Sequence, residues 1–409
     1  MQQDNISKNN FEQCLKCDLC TTVCPMKSVN PDYPGPKQAG PDGERYRIRD
    51  PRFYDLTLRF CLNCKRCEVA CPSGVEVGDI IQTARIKYGR SAHALRNSLI
   101  ANTDFVGSVA TSHPRAVNGL ADKPSFRSIL DAFGIDRRRH LPQYASERFS
   151  KQFNALSQDG YARFVTFYHG CYVEYNYPSL GAALIELLNV CGYGVRLLDR
   201  EKCCGAAFIN NGLSARARIN AKANAASIRK ALENGSEDIV TTSATCTLTI
   251  RNDYDHLLGV KTDDIRQHVM LATKWLFGKI DSGEIRLAFR EDWKGHYAYH
   301  TSCHMQMLGW QIYSIDLLKM IPGMQLDVLD QECCGIAGTF GYKKENYEYS
   351  QKIGEKLFAD IARTGAGTVV ADCETCKWQI ENGTGIKVLN TIEVLLDALD
   401  IQKTRELNR

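Results

Sequence analysis

The sequence predicts a protein of the α+β and α/β classes, with a small α-helical N-terminal domain followed by two repeated α/β domains. Two observations predict this architecture. Residues 14–71 hold eight cysteines in two copies of one short motif, and residues 171–376 hold ten more. The second half of the chain also repeats itself, with strand-like apolar runs alternating with amphipathic helical segments. We predict segments at 1–84, 85–159, 160–288 and 289–409, the second being a basic helical linker.

The composition is ordinary except for its cysteines. The chain has 409 residues and is 44% hydrophobic, and its small net charge of +4 does not point to a nucleic-acid binder. Residues 1–13 are polar and lack the apolar centre of a secretion signal, and no stretch offers the ~18 apolar residues of a membrane span. Thiols stay reduced in the cytosol, so 18 clustered cysteines indicate metal sites rather than disulfides.

The N-terminal motif occurs as "CLKCDLCTTVCP" at residues 14–25 and as "CLNCKRCEVACP" at residues 61–72. Both copies follow C-x2-C-x2-C-x3-C-P, the run typical of two-cluster bacterial ferredoxins, in which the fourth cysteine binds the other cluster. The sequence therefore predicts two [4Fe–4S] clusters. Their ligand sets are Cys14, Cys17, Cys20 and Cys71 for the first, and Cys61, Cys64, Cys67 and Cys24 for the second. The alternative is a pair of zinc sites, which require neither the third CxxC step nor the proline.

A second motif places two cysteines side by side, in "REKCCGAAF" (200–208) and again in "QECCGIAG" (331–338). Both copies lie in the repeat, because "IVTTSATCTLTI" (239–250) matches "VVADCETCKWQI" (369–380). Five thiolates are too many for tetrahedral zinc, so the second repeat favours a multinuclear iron–sulfur centre. Its cysteines are Cys303, Cys333, Cys334, Cys373 and Cys376.

The first repeat departs from this pattern because Ser243 stands where the second has Cys373. Its remaining cysteines are Cys171, Cys203, Cys204 and Cys246. Four thiolates suit zinc or a different cluster, and they also suit a purely structural role. The sequence leaves these three interpretations open.

Four further residues receive structural rather than chemical roles. His169 and His300 precede the first cysteine of each repeat, and we expect each to order its loop through hydrogen bonds rather than to bind metal. Cys191 ends an apolar helical run and is predicted to lie in the core. Trp378 follows Cys376 and is expected to pack over the site.

The segment between the two cysteine-rich regions is basic. Residues 85–151 contain 12 Lys and Arg against 5 Asp and Glu, and "DRRRHLP" (136–142) forms a dense basic run. We predict a helical linker that packs on the domains with solvated charges. A second interpretation is a surface that contacts anionic lipid headgroups or an acidic partner.

The sequence has no G-x-G-x-x-G run after a strand and no P-loop, so we expect no flavin, nicotinamide or nucleotide site. A chain with metal clusters but without such a site carries electrons that another protein supplies. No substrate dehydrogenase site is visible, and a separate flavoprotein is the expected partner.

The pattern C…CCG…CxxC, present twice after a two-cluster ferredoxin module, resembles the cysteine-rich family. Its members include heterodisulfide reductase subunits and the iron–sulfur subunit of glycolate oxidase. The stretches "NPDYPGPKQAGPDGER" (30–45) and "CCGIAGTFGYKKENY" (333–347) resemble most closely the iron–sulfur subunits of anaerobic glycerol-3-phosphate dehydrogenases. The resemblance implies a non-cubane [4Fe–4S] centre on the five cysteines of the second repeat.

The resemblance also implies an electron-transfer component of a quinone-linked complex. Its partners are then a flavoprotein dehydrogenase and a membrane quinone, menaquinone or ubiquinone, with no nucleic acid. Its expected location is the cytoplasmic face of the inner (plasma) membrane, bound peripherally without a transmembrane helix or signal peptide. Two alternatives within the resemblance are a heterodisulfide-reductase-like thiol/disulfide reductase and the iron–sulfur subunit of a 2-hydroxy-acid (glycolate or lactate) oxidase. A zinc-stapled scaffold is a third interpretation.

Overall fold

The computed structural model describes residues 10–50, 55–89 and 93–409. Its N-terminal domain consists of short helices around the two copies of the first motif. They are α1 (Leu19–Thr22), α2 (Pro25–Val29), α3 (Gly43–Arg49), α4 (Arg66–Val69) and α5 (Val77–Tyr88). Each of α1 and α4 starts inside a cysteine loop, and a proline begins α2, where its missing N–H costs no hydrogen bond.

The linker is helical, as predicted. Its helices are α6 (Ala94–Ala101), α7 (Thr103–Ala110), α8 (Pro114–Ala121), α9 (Pro124–Ala132) and α10 (Phe149–Phe153). The boundary that we placed after residue 84 falls inside α5, so the N-terminal domain and the linker share a helix. Within the described ranges, no helix combines the length and the apolar character that crossing a bilayer requires.

The two cysteine-rich repeats have the same architecture. The first contains β1 (Arg163–Phe167), α11 (Gly170–Tyr175), α12 (Pro178–Val190), β2 (Tyr193–Leu197), α13 (Ala206–Asn210), α14 (Ser214–Glu233), β3 (Ser236–Thr241), α15 (Ala244–Leu248), α16 (Tyr254–His256), β4 (Val269–Leu271) and α17 (Ala272–Asp281). The second contains β5 (Gly295–Tyr299), α18 (Cys303–Leu308), α19 (Gln311–Lys319), β6 (Met324–Val328), α20 (Tyr347–Thr364), β7 (Thr368–Val370), α21 (Glu374–Thr384), β8 (Lys387–Leu389), α22 (Thr391–Ala398) and α23 (Ile401–Leu407).

Each repeat folds around a four-stranded sheet, in the order β2-β1-β3-β4 or β6-β5-β7-β8, and every pairing within both sheets is parallel. Helices cover both faces, which explains the continuous apolar runs in the strands. Val165, Phe167 and Val240 are fully buried in a core that extends into the second repeat at Val370 and Leu395.

The repeats meet through equivalent loops, the ones that follow β3 and β7. The backbone N–H of Ala244 donates to the carbonyl oxygen of Asp372 at 3.1 Å. The hydroxyl of Ser243 donates to Oε2 of Glu374 at 2.8 Å. Trp378 packs edge-on against Tyr172 of the first repeat, with ring centroids 5.5 Å apart.

Two basic residues of the linker, Arg96 and Arg139, are buried inside the protein. Arg96 is buried and donates to both carboxylate oxygens of Glu345, at 2.8 and 2.7 Å. Arg139 is buried as well, and its guanidinium donates to the carbonyl oxygen of Gly341. The expectation of solvated charges is therefore wrong for both arginines, because they hold the linker against the second repeat.

Candidate metal centres

All nine predicted ligands of the two repeats lie just beyond the carboxyl ends of parallel strands. Cys171 follows β1, Cys246 follows β3, and the adjacent pair Cys203–Cys204 follows β2. The second repeat places its cysteines after β5, β6 and β7 in the same way. Because the carboxyl ends of neighbouring parallel strands meet at one edge of a sheet, residues far apart in sequence converge there.

The N-terminal thiols form two groups in which the fourth cysteine of each motif joins the other copy. Cys71 lies close enough to Cys20 to act electrostatically on it, as does Cys14. Cys24 interacts in the same way with Cys64 and Cys61.

These thiols lie in a mainly apolar environment. Burial, together with the nearby thiol of Cys64, raises the pKa of Cys24 to about 12. Burial also raises the pKa of Cys20 to about 11. A buried thiolate needs a cation to stay ionised, and a metal cluster supplies that charge.

Backbone and amide N–H groups point at several of the sulfurs. The N–H of Val75 donates to Sγ of Cys71 at 3.3 Å, and the side-chain amide of Gln82 donates to Sγ of Cys61 at 3.4 Å. In the second repeat, the N–H of Gly335 donates to Sγ of Cys333, also at 3.4 Å. Hydrogen bonds of this kind stabilise cluster thiolates and adjust reduction potentials.

The second repeat brings its five cysteines together. Sγ of Cys334 lies 3.4 Å from Sγ of Cys376. The neighbouring thiols of Cys303 and Cys334 hold the pKa of Cys333 well below its usual range. The thiol of Cys376 also lowers the pKa of Cys373. The five sulfurs therefore lie in one continuous group drawn from three loops.

Gly335 shows why glycine follows the adjacent cysteines in this repeat. Its φ angle is +88°, and a Cβ atom there would lie 2.1 Å from the carbonyl oxygen of Ser350. Only glycine avoids both the strain and the clash, so the loop can turn tightly past the sulfurs.

His300 differs from our expectation. Its ring is buried, and neither ring nitrogen has a hydrogen-bond partner among the described residues. Burial lowers its pKa to about 4, while the nearby Cys333 raises it. A buried, unpartnered imidazole beside five thiols is consistent with a group that occupies this site, because unsatisfied buried polar atoms are rare. The soft donor set fits an iron–sulfur centre.

The first repeat joins its four thiols in the same fashion, from Cys171 through Cys203 and Cys204 to Cys246. The hydroxyl of Ser243 accepts from the N–H of Cys246 at 3.2 Å and caps α15. Because this hydroxyl also donates to Glu374, the fifth position is tied to the second repeat.

The sequence did not reveal the part of the linker in this first site. The hydroxyl of Thr103 lies near Cys171 and Cys203 and acts to lower the pKa of both thiols. Asp104 accepts from the N–H of Cys203 at 3.0 Å, and burial raises its pKa to about 6. Both residues begin α7, and no motif marks them.

His169 orders its loop, as predicted. Its Nδ1 lies 3.1 Å from the carbonyl oxygen of Gly170, and Glu201 accepts from the backbone N–H groups of both residues. Burial raises the pKa of Glu201 to about 7. Cys191 is buried in the core, also as predicted.

The N-terminal domain contacts the second repeat directly, and Phe60 packs edge-on against Tyr349 with ring centroids 5.8 Å apart. The thiols of Cys303 and Cys64 lie close enough for each to shift the pKa of the other. His304 places Nε2 3.0 Å from the carbonyl oxygen of Asn63 and Nδ1 3.1 Å from the hydroxyl of Thr245. His304 thus bridges three parts of the chain, a role that follows from its neighbours in space and not from its sequence position.

Known proteins share this organisation. A 4Fe-4S dicluster domain family matches residues 10–75, and a cysteine-rich domain family matches residues 165–251 and 297–381. The chain is 48% identical to one of the subunits of the anaerobic glycerol-3-phosphate dehydrogenase of Escherichia coli (strain K12), over 96% of this chain and 100% of that protein.

More distant relatives cover similar lengths. One of the subunits of the fumarate reductase (CoM/CoB) of Methanothermobacter marburgensis is 25% identical, over 96% of this chain and 73% of that protein. The probable glycolate oxidase iron–sulfur subunit of Bacillus subtilis is 23% identical, over 97% and 96%.

Proposed function

The chain belongs to the family of iron–sulfur subunits of anaerobic glycerol-3-phosphate dehydrogenases, and we propose that it carries electrons from a flavoprotein partner toward a membrane quinone. Its dicluster domain and two cysteine-rich domains make it an iron–sulfur protein of electron transfer. When bound, iron–sulfur clusters accept and release electrons one at a time. The flavoprotein, the glycerol 3-phosphate substrate and the quinone belong to the proposal.

The proposed ligand sets are those that the motifs predict, and the closeness of Cys71 to Cys20 and of Cys24 to Cys61 and Cys64 supports them. Cys14, Cys17, Cys20 and Cys71 hold one [4Fe–4S] cluster, and Cys61, Cys64, Cys67 and Cys24 hold the second. Cys303, Cys333, Cys334, Cys373 and Cys376 hold a third, non-cubane centre. The four thiols of the first repeat hold zinc or a further cluster.

The observation that carries this proposal is the closeness of Cys64 and Cys303, whose neighbours His304 and Asn63 are joined by a 3.0 Å hydrogen bond. Cys64 belongs to the N-terminal ligand sets and Cys303 to the second repeat. Ligand sets that neighbour each other keep the distance that an electron must cross between the domains short. This closeness supports a route from the N-terminal domain into the second repeat.

Peripheral membrane association at the cytoplasmic face is part of the same proposal. The linker exposes several apolar side chains, namely Leu95, Leu99, Phe105, Val109, Leu120 and Ile129. Such a surface suits the boundary between headgroups and acyl chains better than bulk water. Flotation of the purified chain with anionic liposomes tests it, and replacement of Phe105 and Val109 by serine should reduce the floating fraction.

Anaerobic purification followed by iron and sulfide analysis tests the number of clusters. About twelve irons per chain are expected if a third centre accompanies two cubanes, and about eight indicate cubanes alone. The electron-transfer role is tested with flavoprotein subunits, glycerol 3-phosphate and a soluble quinone. If adding this chain does not increase quinone reduction, the electron-transfer role is refuted.

A second candidate function rests on a cavity between the repeats. Cys171 and Cys246 of the first repeat line it together with Cys373 of the second, and Lys377 lies at its wall. Thiols from both repeats facing one cavity are consistent with a thiol/disulfide reductase. Reduction of a disulfide by the iron-loaded chain without partners would favour this function over electron transfer between subunits.

A further inference from the structure

The two copies of the N-terminal motif provide an internal comparison. Lys16 and Asn63 occupy equivalent positions and have φ angles of 59° and 55°, and Asp18 and Lys65 have φ angles of 65° and 64°. The loops 14–20 and 61–67 therefore have the same backbone shape. They differ in what covers them.

The cysteine-rich repeats cover the second copy. Leu62, Asn63 and Lys65 are only 6%, 4% and 3% exposed. The side-chain amide of Asn63 donates to Oδ1 of Asn210 in the first repeat at 3.1 Å. The carbonyl oxygen of Asn63 lies 3.0 Å from Nε2 of His304 in the second repeat, and Cys64 lies near Cys303. Loop 61–67 therefore forms an interface with another domain in which an apolar side chain, Leu62, is buried at the edge and a predicted redox ligand, Cys64, lies at the centre.

Loop 14–20, the first copy, is largely exposed to solvent. Leu15 is 71% exposed and Leu19 is 44% exposed, whereas Leu62, the counterpart of Leu15, is buried. Cys17 takes the place of Cys64 and is the only exposed cysteine of the 18, all of which lie in the described ranges. The residues between, Lys16 and Asp18, are exposed as well.

We infer that residues 15–19 form the docking surface for the flavoprotein partner, which places its reduced flavin near Cys17. This inference rests on the proposed function. Loop 61–67 packs beside a predicted redox site of another domain. We therefore expect the equivalent exposed loop, 14–20, to bind a protein that carries a redox site. Leucines at both ends call for an apolar patch on that protein, and the opposite charges of Lys16 and Asp18 favour a protein with both signs over an anionic lipid surface.

The electron balance is simple. Oxidation of glycerol 3-phosphate to its ketone delivers two electrons and two protons to the partner, whose flavin becomes reduced. The flavin releases the electrons singly at this surface and returns the protons to solvent. No covalent bond of this chain forms or breaks.

The experiment uses the complete, anaerobically purified chain and the flavoprotein subunits. In Leu15→Glu, a carboxylate replaces an apolar contact of the surface, and Lys16→Glu reverses one charge. Ile219→Glu is the matched control, because Ile219 is 68% exposed on α14, outside the N-terminal domain. Stopped-flow absorbance follows reduction of the chain by flavoprotein and glycerol 3-phosphate, and dithionite reduction and iron content report on the bound clusters.

The expected result is that Leu15→Glu slows reduction by the flavoprotein about tenfold or more, as for an apolar residue that an interface buries. Dithionite reduction and iron content remain those of the wild type, and Ile219→Glu behaves as wild type. Equal rates for Leu15→Glu, Lys16→Glu and the wild type would overturn the docking surface while leaving the proposed function intact. If the wild-type chain accepts electrons from dithionite but none from the flavoprotein, the proposed function itself fails.

Hydrogen–deuterium exchange provides a readout that needs no variant. Addition of the flavoprotein should slow exchange in the peptide that covers residues 10–25, with no change in the peptide that contains Ile219. Slowed exchange elsewhere with none in residues 10–25 would place the partner on another surface.

Discussion

Three consecutive arginines, Arg137, Arg138 and Arg139, allow one prediction to be made with an internal control. Arg139 is only 2% exposed, whereas the side chain of Arg138 is 51% exposed. The buried guanidinium donates to the carbonyl oxygen of Gly341 at 2.6 Å, to the hydroxyl of Ser350 at 2.5 Å and to the amide oxygen of Gln379. These three acceptors belong to the loop after Cys333–Cys334, to α20 and to α21.

Arg139→Met keeps the length of the side chain and removes every donor. Each acceptor left without a partner in a buried site costs about 1 kcal/mol or more, so the loss should total about 3 kcal/mol. The guanidinium has itself lost its hydration, and burial lowers its pKa. Removing the guanidinium recovers part of that cost. We therefore use about 1 kcal/mol for each unpaired acceptor, which is the low end of the range for a buried polar group.

Arg138→Met is the control, because Arg138 pairs with Asp136 and Glu348 at the surface. Exposed pairs contribute about 0–1 kcal/mol. The assay is thermal unfolding of both anaerobic variants, followed by circular dichroism. A loss of about 3 kcal/mol lowers the midpoint by about 6 °C or more for a unit of the size of one repeat with its linker. Equal midpoints for the two variants would refute the role assigned to the buried arginine.

Three further predictions concern other parts of the chain. Cys64→Ser should lower the iron content by about four per chain and stop quinone reduction, while circular dichroism shows residues 160–409 still folded; full iron content would contradict the ligand assignment. Gly335→Ala should lower the iron content, and it should lower the free energy of unfolding by about 2 kcal/mol or more, because its Cβ would meet a backbone carbonyl oxygen. Gly367→Ala is the control, because nothing lies within 4 Å of its Cβ, and it should match the wild type in both measurements. Burial lowers the pKa of Lys343 to about 7, so the folded state binds fewer protons than the unfolded state between about pH 7 and pH 10, and stability rises with pH there. Lys343→Gln should therefore be more stable than the wild type by about 1–3 kcal/mol at pH 7, with the difference shrinking by pH 9.5 in parallel unfolding experiments; a difference that does not depend on pH would contradict this account.

The fold was predictable where the chain repeats itself. The matching stretches around Cys246 and Cys376 indicated two copies of one α/β unit, and both copies have the same strand order. The apolar helical run predicted before Cys191 is α12. The repeat supports these predictions, because two copies of the same pattern indicate the same structure independently.

The linker was predicted less well. Its helices follow from periodicity, but the burial of Arg96 depends on Glu345, which lies 249 positions later in the chain. Charge runs show where cations are in the sequence and not which carboxylates or carbonyl oxygens meet them. For the same reason the sequence did not reveal that Thr103 and Asp104 lie beside the first thiol site, because their neighbours there are distant in the sequence.

The sequence by itself determined the chemistry of this protein, because thiol spacing within a short loop is a local property that does not require knowledge of the fold. It named the cysteines, their grouping within each loop and the family. Only the tertiary structure decided which loops touch. The closeness of Cys64 to Cys303, the bridge of His304 to Asn63 and the exposure of Cys17 arise from how separate domains pack, and packing depends on surfaces built from residues hundreds of positions apart.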